Sequence, residues 1–213
     1  MKNYLTEFIG TFFLVLTIGL AVISGSTLAP FAIGAALMVM VYMGGHVSGA
    51  HYNPAVTLAV WMRGKHPASQ IVPYWIAQVA GAIVAAFVVH IMTGRTFAPA
   101  PSPMASGFQA VMAEILYTFA LALVVLNVAT AKQTAGNSYY GLAIGFTVAA
   151  GAVAGGPVSG GAFNPAVGVG PIIISAAMGG GGFEHLWLYL VGPFAGGALA
   201  SIVFKLQHGG SAD

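Results

Sequence analysis

The sequence predicts an all-α membrane protein: six transmembrane helices plus two re-entrant half-helices, built as an inverted internal repeat. Three observations carry that expectation. First, 58% of the 213 residues are hydrophobic and 5% charged, with mean hydropathy +0.90, whereas a water-facing domain carries roughly 25% charged residues. Second, six apolar segments can cross a bilayer and two more are too short to do so. Third, HVSGAHYNPAV at 46–56 returns as PVSGGAFNPAV at 157–167, with seven of eleven positions identical at an offset of 111.

A helix crossing the hydrocarbon core needs roughly 20 apolar residues. The six candidates span about 4–24, 30–46, 68–92, 107–131, 139–155 and 184–206. The first is too long for a signal-peptide core and lacks a cleavage site, so it reads as a mature span. The second and fifth are short and rich in Gly and Ala, which leaves their ends loosely defined. The stretches at 53–62 and 164–177 are half-helices, because ten residues rise only about 15 Å. Short Ser-, Pro- and Gly-rich loops join the elements, including RGKHPAS at 63–69, the segment 95–106, AKQTAGNS at 131–138 and GGGGFE at 179–184. They leave room for one channel-like domain over 1–213, with repeat halves at about 1–98 and 107–206.

The repeat reaches beyond the opening motif. EFIGT (Glu7–Thr11) returns as EILYT (Glu114–Thr118), AIG at 32–34 as AIG at 143–145, and AQVAG at 77–81 more weakly as GPFAG at 192–196. Each half therefore contains three crossings and one broken segment. Three is odd, so the second half is inverted relative to the first. Inverted repeats with a broken helix at matching positions place a binding or conduction site at their interface near midplane. With the N-terminus in the cytoplasm, Lys2, Arg63, Lys65, Lys132 and Lys205 lie inside and only Arg95 outside, as the positive-inside rule requires.

Asn-Pro opens a helix abruptly. Asn is a favoured N-cap, and Pro suits the first helical position, where its missing N–H would have no partner anyway. Asn53 and Asn164 would then each accept from the first turn and aim an amide donor beyond the helix tip. Two such tips meeting at midplane present two positive dipole ends and two donors. That combination suits an oxygen of a neutral solute and repels a cation. The residues before each tip, Gly49, Ala50, His51, Tyr52 and Gly160, Gly161, Ala162, Phe163, read as non-helical. Such backbone persists at membrane depth only where it is buried in protein or lines a wet cavity, so these carbonyls are candidate pore acceptors.

These motifs carry a family resemblance. EFIGTFFLV, HVSGAHYNPAV, AQVAGA, AEILYTF and SGGAFNPAV are similar, in order and spacing, to those of the aquaporin (major intrinsic protein) family over nearly the whole chain. The resemblance implies six membrane helices, two re-entrant half-helices, a pore in each subunit and a homotetramer. It also implies that Asn53 and Asn164 are the central donors and that Glu7 and Glu114 brace the two re-entrant loops. A buried carboxylate can alternatively relay protons; the placement of both on the helix opening each half favours the brace. His46 reads as a packed, hydrogen-bonded histidine at the cytoplasmic pore end, with a pH gate as the other reading. For His51 the backbone carbonyl is expected to serve rather than the imidazole. The spacings Ala77/Gly81 and Gly192/Gly196 allow close helix crossing, and Trp61, Trp75 and Trp187 fit interfacial or packing positions.

The chain departs from the resemblance at the outer constriction. Most of the family continues the second motif as Asn-Pro-Ala-Arg, whereas Val167 stands here. The other three constriction positions map to Ile33, Ala152 and Gly161. That set predicts a wider, uncharged outer constriction, similar to some plant vacuolar aquaporins. It would pass water and larger neutral molecules such as urea, ammonia, hydrogen peroxide or glycerol. Phe97 or Arg95 from the 95–106 loop could instead narrow the mouth and restore water selectivity. More distant alternatives are a proton-coupled transporter using Glu7 and Glu114, or a non-conducting junction protein.

The remaining expectations are negative. There is no Cys and hence no thiolate chemistry, and no cofactor, metal cluster or catalytic set is expected. No basic cluster suits nucleic acid. The expected partners are the lipid bilayer, other copies of the chain and the permeating solutes. The expected location is the plasma (cell inner) membrane, with both termini cytoplasmic.

Overall fold

A computed structural model describes residues 1–209, so positions 210–213 of the expected domain lie outside the described residues. Nine α-helices are found among the described residues: α1 Lys2–Ile23, α2 Ala29–Ser48, α3 Pro54–Met62, α4 Ile71–Thr93, α5 Gly107–Thr130, α6 Tyr140–Ala154, α7 Gly156–Ser159, α8 Pro165–Ala177 and α9 Leu186–Gln207. Five stretches are long and apolar enough to cross a membrane. These are α1, α2, α4 with its preceding 3₁₀ turn, α5 and α9. The remaining crossing is the fifth, short as expected from the segment at 139–155. α6 holds 15 residues and is continued by the single turn α7. The interruption lies at Gly155–Pro157, since proline cannot donate to the helical ladder and crowds the preceding turn.

The two halves superimpose in kind: α1 with α5, α2 with α6 and α7, α3 with α8, and α4 with α9. Packing follows the same exchange. α1 lies on α4 and α5 on α9, while α3 reaches across to α9 and α8 to α4. α2 and α6 pair directly, and the repeated AIG explains their closeness. A Cβ added to Gly34 would stand 2.6 Å from Gly145 O, and one on Gly145 would stand 2.5 Å from Gly34 O. The small-residue spacings do the same at the other crossings. Gly81 faces Phe8 O and Gly196 faces Ile115 O, each at 2.5 Å from an added Cβ. In a bilayer, where hydrophobic burial does not drive helix association, such close backbone approach is the main attraction.

Trp75 donates from Nε1 to Pro54 O at 3.0 Å, fixing α3 to α4. Trp61 and Trp187 are exposed at 39% and 49%, on the surface left to lipid.

Candidate functional site

Both Asn-Pro steps start helices as the capping chemistry requires. Asn53 Oδ1 accepts from Ala55 N (2.9 Å) and Val56 N (3.4 Å), and Asn164 Oδ1 accepts from Ala166 N (2.9 Å). Their amide groups do more than was expected. Asn53 Nδ2 donates to Phe163 O at 2.9 Å and Asn164 Nδ2 donates to Tyr52 O at 2.8 Å. The two tips therefore meet and are laced together across the repeat. One N–H of each amide is spent on this tie, and one remains for a solute.

The approach loops are strained. Ala50 (φ 50°), Tyr52 (φ 49°) and Phe163 (φ 49°) occupy the left-handed region, as do Gly49, Gly160 and Gly161. A non-glycine residue there costs roughly 1–2 kcal/mol, so something must hold the loops. The buried glutamates do. Glu7 Oε1 accepts from Ser48 Oγ (2.7 Å) and His51 N (3.0 Å), and Oε2 accepts from Tyr52 N (2.7 Å) and Gln78 Nε2 (2.8 Å). Glu114 repeats the pattern with Ser159 Oγ (2.7 Å), Ala162 N (3.0 Å) and Phe163 N (2.7 Å). Tyr74 and Tyr189 add a second symmetric pair of ties, their hydroxyls donating to Ser48 O and Ser159 O. Sequence reasoning missed Ser48, Ser159, Tyr74, Tyr189 and Gln78. The serines and tyrosines recur at equivalent positions in the two halves, and that recurrence was the available signal. Gln78 aligns with Pro193 and gave none.

A cavity of roughly 490 Å³ runs past these tips. One wall is apolar, with Leu14 and Ile18 from α1, Leu37 from α2, Val125 from α5 and Val148 from α6. The other is the re-entrant backbone and the two asparagines. Ile33, Ala152, Gly161 and Val167, the four positions mapped from sequence, are all among the residues that line this cavity. Ala50, His51, Tyr52, Gly160, Ala162 and Phe163 line it too, whereas Gly49 does not. The Tyr52 and Phe163 carbonyls each already accept one amide hydrogen bond. No Lys, Arg, Asp or Glu belongs to the lining, and among the described residues no group of three or more His, Cys, Asp or Glu could hold a metal.

Two expectations need correcting. His46 is exposed rather than packed, in the last turn of α2 and outside the cavity lining. Arg95 is turned away from the cavity, its Nη1 donating to Ile23 O at 3.1 Å. Phe97, in contrast, does line the cavity together with Ala98, Pro99 and Ala100. Its ring packs where a side chain on Gly19 would stand, 2.4 Å from an added Cβ.

Two laced half-helices beside a cavity lined by both tips are the arrangement that the repeat implied, and comparison with known proteins assigns it. The family model described as major intrinsic protein matches residues 1–204. The chain belongs to the major intrinsic protein family. Among curated major intrinsic proteins it is similar to Aquaporin NIP1-4 of Oryza sativa subsp. japonica, at 40% identity over 97% of this chain and 77% of that one. Probable aquaporin TIP2-2 of the same organism is 36% identical over 98% and 88% of the two chains. Glycerol uptake facilitator protein-like 6 of Lactiplantibacillus plantarum is 35% identical over 97% and 98%. The fold matches the X-ray structure of the aquaglyceroporin from Plasmodium falciparum with TM-score 0.86 at 23% identity, covering 96% and 95% of the two chains. As a member of this family, the protein is a multi-pass membrane channel for water and small solutes and not an enzyme.

Proposed function

We propose that this chain is a passive pore for water and for larger neutral solutes, of the size of urea, ammonia, hydrogen peroxide and glycerol. The carrying observation is the lining of the cavity. Ile33, Ala152, Gly161 and Val167 all belong to its lining, which holds no charged side chain. An arginine at the Val167 position would supply donors and a charge that excludes cations. Without it, selection falls on width and on the paired half-helix tips. Similarity to a protein named glycerol uptake facilitator protein-like 6 supports the wider solute range. The glutamates support a passive mechanism, since their oxygens are committed to loop donors and not to a relay.

A second reading has its own observation. Phe97 and the strap 98–100 share the cavity wall and would narrow the mouth, giving a water-selective pore. We further propose that 1–213 acts as one channel domain and assembles as a homotetramer. We place it in the plasma membrane with both termini cytoplasmic, as the distribution of Lys2, Arg63, Lys65, Lys132 and Lys205 favours.

Proteoliposome light scattering separates the two pores. The first expects entry of urea and glycerol as well as water, and Val167→Arg should then reduce the larger solutes more than water. Equal reductions would remove Val167 from the narrowest point. Water alone in the parent chain, with urea entry appearing in Phe97→Ala, would establish the strap as the filter.

A further inference from the structure

His66 lies in the turn that returns α3 to α4, on the face that carries the N-terminus. Gly64 at φ +84° reverses the chain there, and Lys65 N donates to Val60 O at 3.0 Å. The imidazole folds inward beneath the first re-entrant loop. Its ring meets Tyr74 at 4.5 Å between centroids (69°) and His51 at 4.9 Å (61°). Its Nε2 is buried and has no hydrogen-bond partner.

His51 is the pore-side member of this cluster, since it lines the cavity. Its backbone N–H is held by Glu7, and its Nδ1 stands 3.1 Å from Thr57 Oγ1. Thr57 spends its hydroxyl proton on Asn53 O (3.2 Å). It must therefore accept, both from Gln78 Nε2 (3.0 Å) and from His51 Nδ1–H. That assignment makes His51 the neutral, Nδ1-protonated tautomer. The second half has no such cluster, because Ala162, Gly168 and Pro193 stand where His51, Thr57 and Gln78 do.

We propose that His66 is a positioning residue for His51, and that a proton taken up by His66 from the N-terminal face lowers permeability through the inner half of the pore. Neutral His66 fits its pocket. A protonated ring would need an acceptor for the buried Nε2–H, and leaving a donor unpaired is costly. The ionisable groups around it offer none. From α1, the Glu7 oxygens already serve four donors, and Tyr4 meets Tyr74 edge-on at 5.8 Å between ring centroids. From α4, the Tyr74 hydroxyl is committed to Ser48 O. From the re-entrant loop, His51 is neutral. From its own turn, Arg63 and Lys65 add positive charge close by in sequence. The charged ring leaves for water, and His51 loses the surface that holds it at the cavity wall. Burial keeps the His66 imidazole below its ordinary titration range, with a backbone hydrogen bond at Gln70 offsetting part of that shift. The neutral, supported state therefore persists near neutrality and is lost as pH falls through the lowered value.

The inference rests on the protein conducting water. Proteoliposomes equilibrated at matched internal and external pH, from about 7.5 down to about 5, test it by stopped-flow shrinkage. Permeability should fall several-fold in acid, with a midpoint below that of an ordinary histidine. His66→Phe, which keeps an aromatic ring against His51, should match the parent near neutrality and stay flat, whereas His66→Gln, which cannot ionise but gives up that ring, should stay flat at a reduced level. His46→Ala should retain the parent profile. A conducting parent with a flat profile, or an acid response that survives in both His66 variants, overturns the proposal. A parent that conducts no water at any pH overturns the channel reading along with it.

Discussion

Glu7 and Glu114 occupy equivalent positions but carry unequal loads. Four donors converge on Glu7 and three on Glu114, the difference being Gln78. Replacing either carboxylate by an amide turns one acceptor oxygen into a donor facing donors. At Glu114 the amide can be oriented so that only Phe163 N–H is left facing it. At Glu7 the same orientation strands Tyr52 N–H and one of the two N–H groups of Gln78 Nε2, the other still donating to Thr57 Oγ1. A hydrogen bond to a charged group is worth about 1.5–3 kcal/mol, so Glu7→Gln should lose roughly twice as much stability as Glu114→Gln. Thermal melts of the purified protein in detergent read this directly. Equal shifts, or a larger loss at Glu114, would show that Gln78 is not part of the brace. The carboxylates themselves were legible in the sequence, as rare charges repeated on the helix opening each half. Their partners were not, because a hydrogen bond between residues 7 and 78 depends on how α1 meets α4 and leaves no mark on either segment alone.

The helices were the most legible level of the molecule, with boundaries a few residues from those expected. α6 is no exception, expected at 139–155 and found at Tyr140–Ala154. Only the single turn α7 beyond it was unforeseen, and Pro157 marks where it separates from α6. Helix pairing was legible wherever glycine recurred in both halves. At the α2–α6 crossing, Gly34 and Gly145 each face the other's carbonyl at a distance no side chain tolerates. Gly145→Ala therefore forces the backbones apart, and overpacking of this kind costs about 1–3 kcal/mol. Because Ile33 adjoins Gly34 and Ala152 lies on α6, the same change should also alter solute flux. A melt and a urea-entry trace on one preparation suffice. An unchanged melting temperature would mean that this crossing has slack the structure does not show.

At the scale of the whole molecule, the inverted repeat places two helix N-termini against each other at the centre of a cavity without charged walls. Each terminus carries the equivalent of roughly half a positive charge. In the proposed pore, which lacks an arginine at Val167, this pair of ends is the main electrostatic barrier to cations. Asn164→Asp tests that assignment with little steric change. An aspartate still caps α8, since its oxygen can accept from Ala166 N as Asn164 does, but it loses the donor to Tyr52 O and adds a full negative charge at the tip. The added charge outweighs the local dipole, and cations should then enter. Planar-bilayer recordings of Asn164→Asp should show a monovalent cation conductance absent from the parent, while Asn164→Ala, which removes the tie without adding charge, should stay silent. Water flux should persist in the aspartate variant. If both variants leak alike, exclusion comes from the tightness of the laced tips. If neither leaks, the barrier lies elsewhere along the pore, and Phe97 with the strap 98–100 becomes the next place to look.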